Sequence, residues 1–165
     1  MRKKIIVFSL FLIGSITAPA HGLIQRVEWT AQLKKVNATT YDIIFEAQMQ
    51  TGWALYCQKQ EKEDGPLPTT FIFQKNEQYQ RVGLVKESWK NKKKEYDPVF
   101  EMVVLKYEKL AKFTQRVTIS PDAEIIVMVE YMTCSATSCL PERYVEFILS
   151  AKDEGKILKP HSFIE

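Results

Sequence analysis

Cys134 and Cys139 stand close together in Tyr131-Met-Thr-Cys-Ser-Ala-Thr-Ser-Cys-Leu-Pro-Glu142, separated by small or hydroxylated residues. Two thiols at this spacing can form a structural disulfide, help to hold a metal, or exchange electrons with another disulfide through a mixed-disulfide intermediate. Exchange requires an exposed, partly ionised attacking thiol and a second thiol close enough to resolve the intermediate. A structural zinc site requires four ligands, whereas the chain offers three Cys and only two His, His21 and His161, both near the termini. A copper site of the His-Cys-Met kind fares no better, because no His lies between Cys134 and Arg143. No metal or other cofactor is expected. The same shortage of histidine argues against a Ser-His-Asp hydrolase.

Redox compartment decides what such a pair can do. Arg2, Lys3 and Lys4 precede an apolar run from Ile5 to Ile13, and Ala18-Pro-Ala20 offers small residues for a peptidase. This layout is that of a secretory signal peptide over residues 1–22, cleaved after Ala20 or Gly22. The apolar run falls short of the roughly 20 residues that span a bilayer, and no second run follows, so no membrane span is expected after cleavage. The leader removes three basic residues from a chain with 23 Lys and Arg against 20 Asp and Glu. What remains is formally neutral, and nucleic-acid binding is not expected.

The elements that must position the cysteines read as strands. Tyr41, Ile43, Phe45, Ala47 and Met49 alternate with Asp42, Glu46 and Gln48, the pattern of a half-buried strand. Similar runs cover Gln25–Leu33, Trp53–Gln58, Thr69–Gln74, Tyr79–Glu87, Val99–Tyr107, Phe113–Ile119, Glu124–Met132 and Tyr144–Leu149. Turn material such as Thr51-Gly52, Asp64-Gly-Pro-Leu-Pro68 and Ser120-Pro-Asp122 separates them. Many short strands with no long helical period predict an all-β antiparallel sandwich in a single domain. Alternation is lost over residues 151–165, which reads as a loosely packed tail.

On this frame Cys134 and Cys139 flank the connection between two strands and can face each other across a hairpin. A disulfide there would close a six-residue loop and contribute roughly 2 kcal/mol in the chain-entropy model, the low end for such bonds. A hairpin closes that loop already. Exposed short-range disulfides are also easily reduced, yet spacing alone leaves an inert clip and an exchanging pair both open. The third cysteine, Cys57, reads as a buried inert thiol. Lys86, Lys90, Lys92, Lys93 and Lys94 read as a solvated loop, Met128 and Met132 as core filler, and Trp29, Trp53 and Trp89 as packing residues.

A set of short motifs carries a resemblance: Gly52-Trp-Ala-Leu-Tyr56, Gly65-Pro-Leu-Pro-Thr69, Tyr79 with Gly83, Glu95-Tyr96 before Val99-Phe100, Phe113-Thr-Gln115 and the cysteine segment itself. In this order the chain resembles, from Val27 to Ser150, the N-terminal periplasmic domain of the thiol:disulfide interchange protein DsbD, in the stand-alone form called disulfide bond corrector protein. The resemblance implies an immunoglobulin-like β-sandwich over residues 23–150, placed in the periplasm, with Cys134 and Cys139 as a redox-active disulfide pair. It implies electrons arriving from a membrane-embedded thiol reductase and leaving to thioredoxin-like periplasmic proteins, in disulfide correction or cytochrome c maturation. The donor is expected on a separate polypeptide. Cys139 matches the attacking position and Cys134 the resolving one. Tyr56 matches an aromatic neighbour of the pair, and Glu95 and Tyr96 fall where the family has an acidic-aromatic cap loop. Two departures stand out: Ala54 replaces a second tyrosine, and Glu142 follows a single proline where two are common. The competing expectation is a non-catalytic envelope binding or assembly sandwich in which Cys134–Cys139 is only a clip.

Overall fold

A computed structural model describes residues 25–62 and 64–164, so the leader assigned to residues 1–22 lies outside the described part. Alternation produces the strands it predicts. In β1 (Val27–Lys35) the buried side chains are Val27, Trp29, Ala31 and Leu33, and in β2 (Thr40–Met49) they are Tyr41, Ile43, Phe45, Ala47 and Met49. The same period buries Ala111, Phe113, Val117 and Ile119 in β8 (Leu110–Ile119). It also buries Ile125, Val127, Val129 and Tyr131 in β9 (Glu124–Tyr131), and Val145, Phe147 and Leu149 in β11 (Arg143–Ser150). Shorter strands complete the frame: β3 (Ala54–Tyr56), β4 (Thr70–Phe73), β5 (Tyr79–Glu87), β6 (Lys92–Asp97), β7 (Met102–Glu108), β10 (Thr133–Cys134), β12 (Ile157–Leu158) and β13 (Ser162–Ile164).

Three antiparallel sheets form, in the orders β12-β1-β2-β8-β5, β13-β11-β9-β4 and β10-β3-β7-β6. The first two face each other as a sandwich whose centre is aromatic. Trp29 lies 5.9 Å from Phe113 and 5.5 Å from Tyr131, and Phe45 lies 4.9 Å from Phe71 and 5.6 Å from Phe147, centroid to centroid. The Trp29–Phe113 pair is stacked and the others are tilted or edge-on. The third, smaller sheet carries the cysteines. After Tyr131 the chain leaves β9, passes Met132, and enters β10, which pairs with β3 in that small sheet. Tyr131 is thus anchored in the sandwich core, three residues before the first cysteine.

Three expectations change. The lysine run does not form a loop, because Lys92, Lys93 and Lys94 open the edge strand β6 and pair with β7. Their charges are met by Glu87, Glu108 and Glu61 at 2.5, 2.6 and 2.6 Å, so a charged run can serve as an edge strand. The stretch read as a tail, residues 151–165, is ordered over its described part, 151–164: after one 3-10 turn at Ala151–Asp153, β12 pairs with β1 and β13 with β11. These pairings involve two or three residues each, too few to show a period in sequence. Met128 and Met132 occupy the even positions after Glu124, so both are only half buried, away from the interior face that Ile125 to Tyr131 fill.

Candidate functional site

Cys134 and Cys139 are disulfide-bonded, with Cα atoms 4.0 Å apart, and oppose each other as an isolated antiparallel bridge. The residues between them close the loop without help from sulfur. Ser135 N–H donates to the Ser138 carbonyl at 2.8 Å, and Leu140 N–H donates to the Thr133 carbonyl at 2.9 Å. The Ser135 hydroxyl accepts from Thr137 and Ser138 N–H at 3.3 and 3.1 Å, the side-chain turn that small hydroxylated residues make readily. A loop so closed gains little from a further cross-link. The two sulfurs differ in access: Cys134 is only 2% exposed, whereas Cys139 is half buried.

Strand register explains what surrounds the pair. Cys134 lies directly opposite Ala54 in the β10–β3 ladder, and Ala54 and Tyr56 share a face because strand side chains alternate. Tyr56, Val104 and Cys134 form a small buried cluster, with Phe100, Met102, Met132 and Cys139 packed against it. The Phe100 ring meets Tyr56 edge-on at 5.7 Å. Phe100 reaches this position from the turn between β6 and β7, where Asp97 organises the backbone. Its Oδ1 accepts from Val99 N–H at 3.0 Å, and its Oδ2 accepts from the Tyr56 hydroxyl at 2.9 Å. Lys106 Nζ lies 3.6 Å from Asp97 Oδ2 and 2.9 Å from Glu95 Oε1. Burial first, and the Asp97 carboxylate second, push the Tyr56 phenol well above its ordinary range, so it remains a donor to Asp97 at any working pH.

Tyr56 stands beside Cys134, and Glu95 and Tyr96 line a cleft that Cys134 also lines. Along β6, Glu95 and Asp97 point to one face and Tyr96 to the other, and Tyr96 is 60% exposed. Phe100 packs against the cluster that holds Cys134, through its edge-on contact with Tyr56. Sequence reasoning passed over Phe100 and Asp97, although both lie in the segment Glu95-Tyr-Asp-Pro-Val-Phe100 that drew notice. At Ala54 the missing aromatic ring leaves a cleft of about 410 Å³ beside Cys134.

Cys57 is a different case. One residue beyond Tyr56 it turns into the sandwich, fully buried within the main core. Burial first, and the Glu87 carboxylate second, push its thiol up to about 12. A thiol held protonated and hidden is a poor nucleophile, so native protein should leave Cys57 unlabelled by iodoacetamide at about pH 8, with labelling appearing on unfolding. A raised folded-state pKa contributes stability that is complete below the unfolded thiol value of about 8.5 and is lost as pH rises toward the folded one. Tyr56 and Tyr107, also raised by burial, add to the same alkaline loss. The urea midpoint should therefore fall steadily from about pH 9 to about pH 12. A flat profile over that range would contradict the assignment.

Trp29 is core, as expected, whereas Trp53 lies under the Arg26 guanidinium at 5.0 Å and Trp89, 82% exposed, carries Lys92 Nζ at 4.6 Å from its ring. Among the described residues no helix is long and apolar enough to cross a membrane.

Comparison with known proteins bears on this site. No curated protein matches the chain. Two solved structures illustrate the fold it shares with others. The N-terminal periplasmic domain of ScsB from Proteus mirabilis superposes with a TM-score of 0.60 at 16% identity, covering 78% of this chain and 48% of that one. The chain thus spans about half the length of that relative. The Neisseria meningitidis DsbD n-terminal domain in the reduced form superposes with a TM-score of 0.54 at 16% identity, covering 81% of this chain and 91% of that one. These likenesses confirm an immunoglobulin-like sandwich of the kind found in periplasmic domains. The family model described as "Thiol:disulfide interchange protein DsbD, N-terminal" matches residues 24–151, a span that contains both bonded cysteines and everything packed around them. The chain belongs to that family of thiol-disulfide exchange modules, and a bonded Cys134–Cys139 pair lies within the matched span.

Proposed function

We propose that the protein relays electrons in the periplasm, receiving them from a membrane-embedded thiol reductase and passing them to thioredoxin-like proteins, in disulfide correction and cytochrome c maturation. The observation that carries this reading is the asymmetry of the pair. Cys139 is the more exposed residue, Cys134 is buried, and the loop between them is closed by its own hydrogen bonds. That supports Cys139 as the attacking thiol and Cys134 as the resolving one. In the reduced protein the Cys139 thiolate attacks one sulfur of the partner's disulfide, breaking that bond, forming a mixed disulfide and releasing the partner's first thiolate. The Cys134 thiolate then attacks the Cys139 sulfur, forming the intramolecular bond and releasing the partner's second thiolate. Two electrons pass to the partner, and the two protons of the original thiols go to solvent or to the departing thiolates. Reduction by the donor runs the same steps in reverse. Phe100 serves as the cap, lying against the cluster that holds Cys134 until a partner displaces it, with Tyr56 and Asp97 holding the floor and the turn and Glu95 securing Lys106.

Trapping tests the relay. In a periplasmic extract, Cys134→Ala should accumulate a disulfide-linked adduct through Cys139 with thioredoxin-like proteins, and Cys139→Ala should accumulate far less. A redox titration of the wild-type pair should give a potential above about −300 mV, the region of exchangeable bonds. A lower potential together with no adduct would make the pair an inert clip.

A further inference from the structure

The cleft beside Cys134 is a feature that the relay leaves unused. Its floor is Ala54, directly across the ladder from Cys134, and Trp53, Pro98 and Tyr96 contribute to its walls. Trp53 is held in place from two sides. It follows a turn at Gly52 in which its N–H donates to the Gln50 carbonyl at 3.0 Å, and the Arg26 guanidinium lies over its ring. Gly52 has a φ of 83°, a conformation that glycine adopts without strain. The charges around the cleft are unequal. Glu95 is met by Lys106 and Glu108 by Lys93, whereas Lys109 forms no ion pair among the described residues. Lys109 is fixed at the β7–β8 turn with a φ of 72°, where its carbonyl accepts from Met49 N–H at 2.8 Å. The cleft is therefore an aromatic-walled slot with one uncompensated positive charge at its margin, next to the resolving sulfur.

We infer that this slot is a recognition subsite for an aromatic side chain flanking the disulfide of a partner protein, with a carboxylate of that partner meeting Lys109. The inference rests on the exchange reading above. A ring entering the slot would find Trp53 and Tyr96 for stacking and edge contact, and would fill the volume that Ala54 leaves open. Occupancy would place the partner's disulfide next to the pair, since Cys134 itself lines the slot. It follows that discrimination among disulfides resides in an element separate from the sulfur chemistry.

Single-turnover kinetics on the reduced full-length mature chain test this with two probes. Dithiobisnitrobenzoate is an aromatic disulfide bearing carboxylates, and hydroxyethyl disulfide is neutral and aliphatic. Each reaction forms the Cys134–Cys139 bond, breaks the probe's S–S bond and yields two probe thiols, so the probes differ only in recognition and intrinsic reactivity. The ratio of their rate constants in each variant, divided by the wild-type ratio, cancels the reactivity. Ala54→Tyr, which fills the slot, should lower the ratio about tenfold or more. Lys109→Asn, which suits the left-handed backbone, should lower it about three- to fivefold and flatten its dependence on salt. Circular dichroism shows that each variant is folded. A ratio within twofold of wild type in both folded variants overturns the subsite and leaves exchange standing. Failure of the wild-type protein to react with either probe faster than free dithiothreitol overturns the exchange reading itself.

Discussion

Phe100→Ala should raise the rate at which the reduced pair is alkylated, or oxidised by small oxidants, by about 10- to 100-fold. The ring packs on the Tyr56, Val104 and Cys134 cluster, where burying a phenylalanine is worth about 1.5–3 kcal/mol. Each 1.4 kcal/mol is a factor of ten in an equilibrium, so deleting the ring shifts the balance between covered and uncovered states by that factor or more. If attack on the sulfur proceeds from the uncovered state, the rate constant follows the shift. The measurement is the second-order rate constant for iodoacetamide with reduced protein, in a Cys57→Ala background so that any slow core labelling is absent. Tyr96→Ala, whose ring is 60% exposed and outside the cluster that packs on Cys134, should accelerate the reaction far less. If Tyr96→Ala accelerates as strongly and Phe100→Ala does not, the cap is Tyr96 and the assignment of the turn is wrong. Full acceleration without loss of folding stability would show that the ring protects the pair and does not hold the sheet together.

How far the sequence disclosed this arrangement can be judged from particular residues. The sandwich was legible because one buried face imposes a strict period of two, visible from Tyr41 to Met49 and again from Glu124 to Tyr131. The cysteines were legible from their spacing, and Tyr56 from the motif that ends with it. Edge strand β6 was hidden, since its three lysines owe their order to carboxylates on distant segments, Glu61, Glu87 and Glu108. Asp97 and Phe100 were overlooked for a related reason. Asp97-Pro98 reads as ordinary turn chemistry, and only the hydrogen bond from Tyr56, 41 residues earlier, marks Asp97 as the post that fixes the turn. Beyond it Glu101 adopts a φ of 53°, which breaks the strand period between Phe100 and β7. Neither long-range partners nor a single left-handed residue leaves a periodic trace. The difference in exposure between Cys134 and Cys139 is equally silent, because it depends on β10 pairing with β3 and not with β11.

Asp97→Ala should destabilise the protein by about 2–4 kcal/mol and open the site at the same time. Asp97 is 3% exposed and accepts from the Tyr56 hydroxyl and Val99 N–H while facing Lys106. Its removal leaves the Tyr56 hydroxyl buried without an acceptor, a cost of about 1–3 kcal/mol, and frees the first residues of the turn that carries Phe100. Breaking a buried ion pair outright costs about 3–5 kcal/mol, but Lys106 keeps Glu95 at 2.9 Å, so the loss falls below that limit. Asp97→Asn keeps a single acceptor oxygen, enough for one of the two donors that now use separate oxygens, and should cost about 1–2 kcal/mol. Tyr56→Phe removes the donor and should cost about 1–2 kcal/mol alone, yet little more when added to Asp97→Ala. Urea unfolding of the two single variants and the double variant, each with the disulfide intact, gives the coupling energy directly. A coupling below about 0.5 kcal/mol would mean that the bond between strand β3 and the turn contributes nothing to the fold. Coupling of 1 kcal/mol or more, with faster alkylation in Asp97→Ala than in Tyr56→Phe, would identify Asp97 as the residue through which the floor of the site governs its cover.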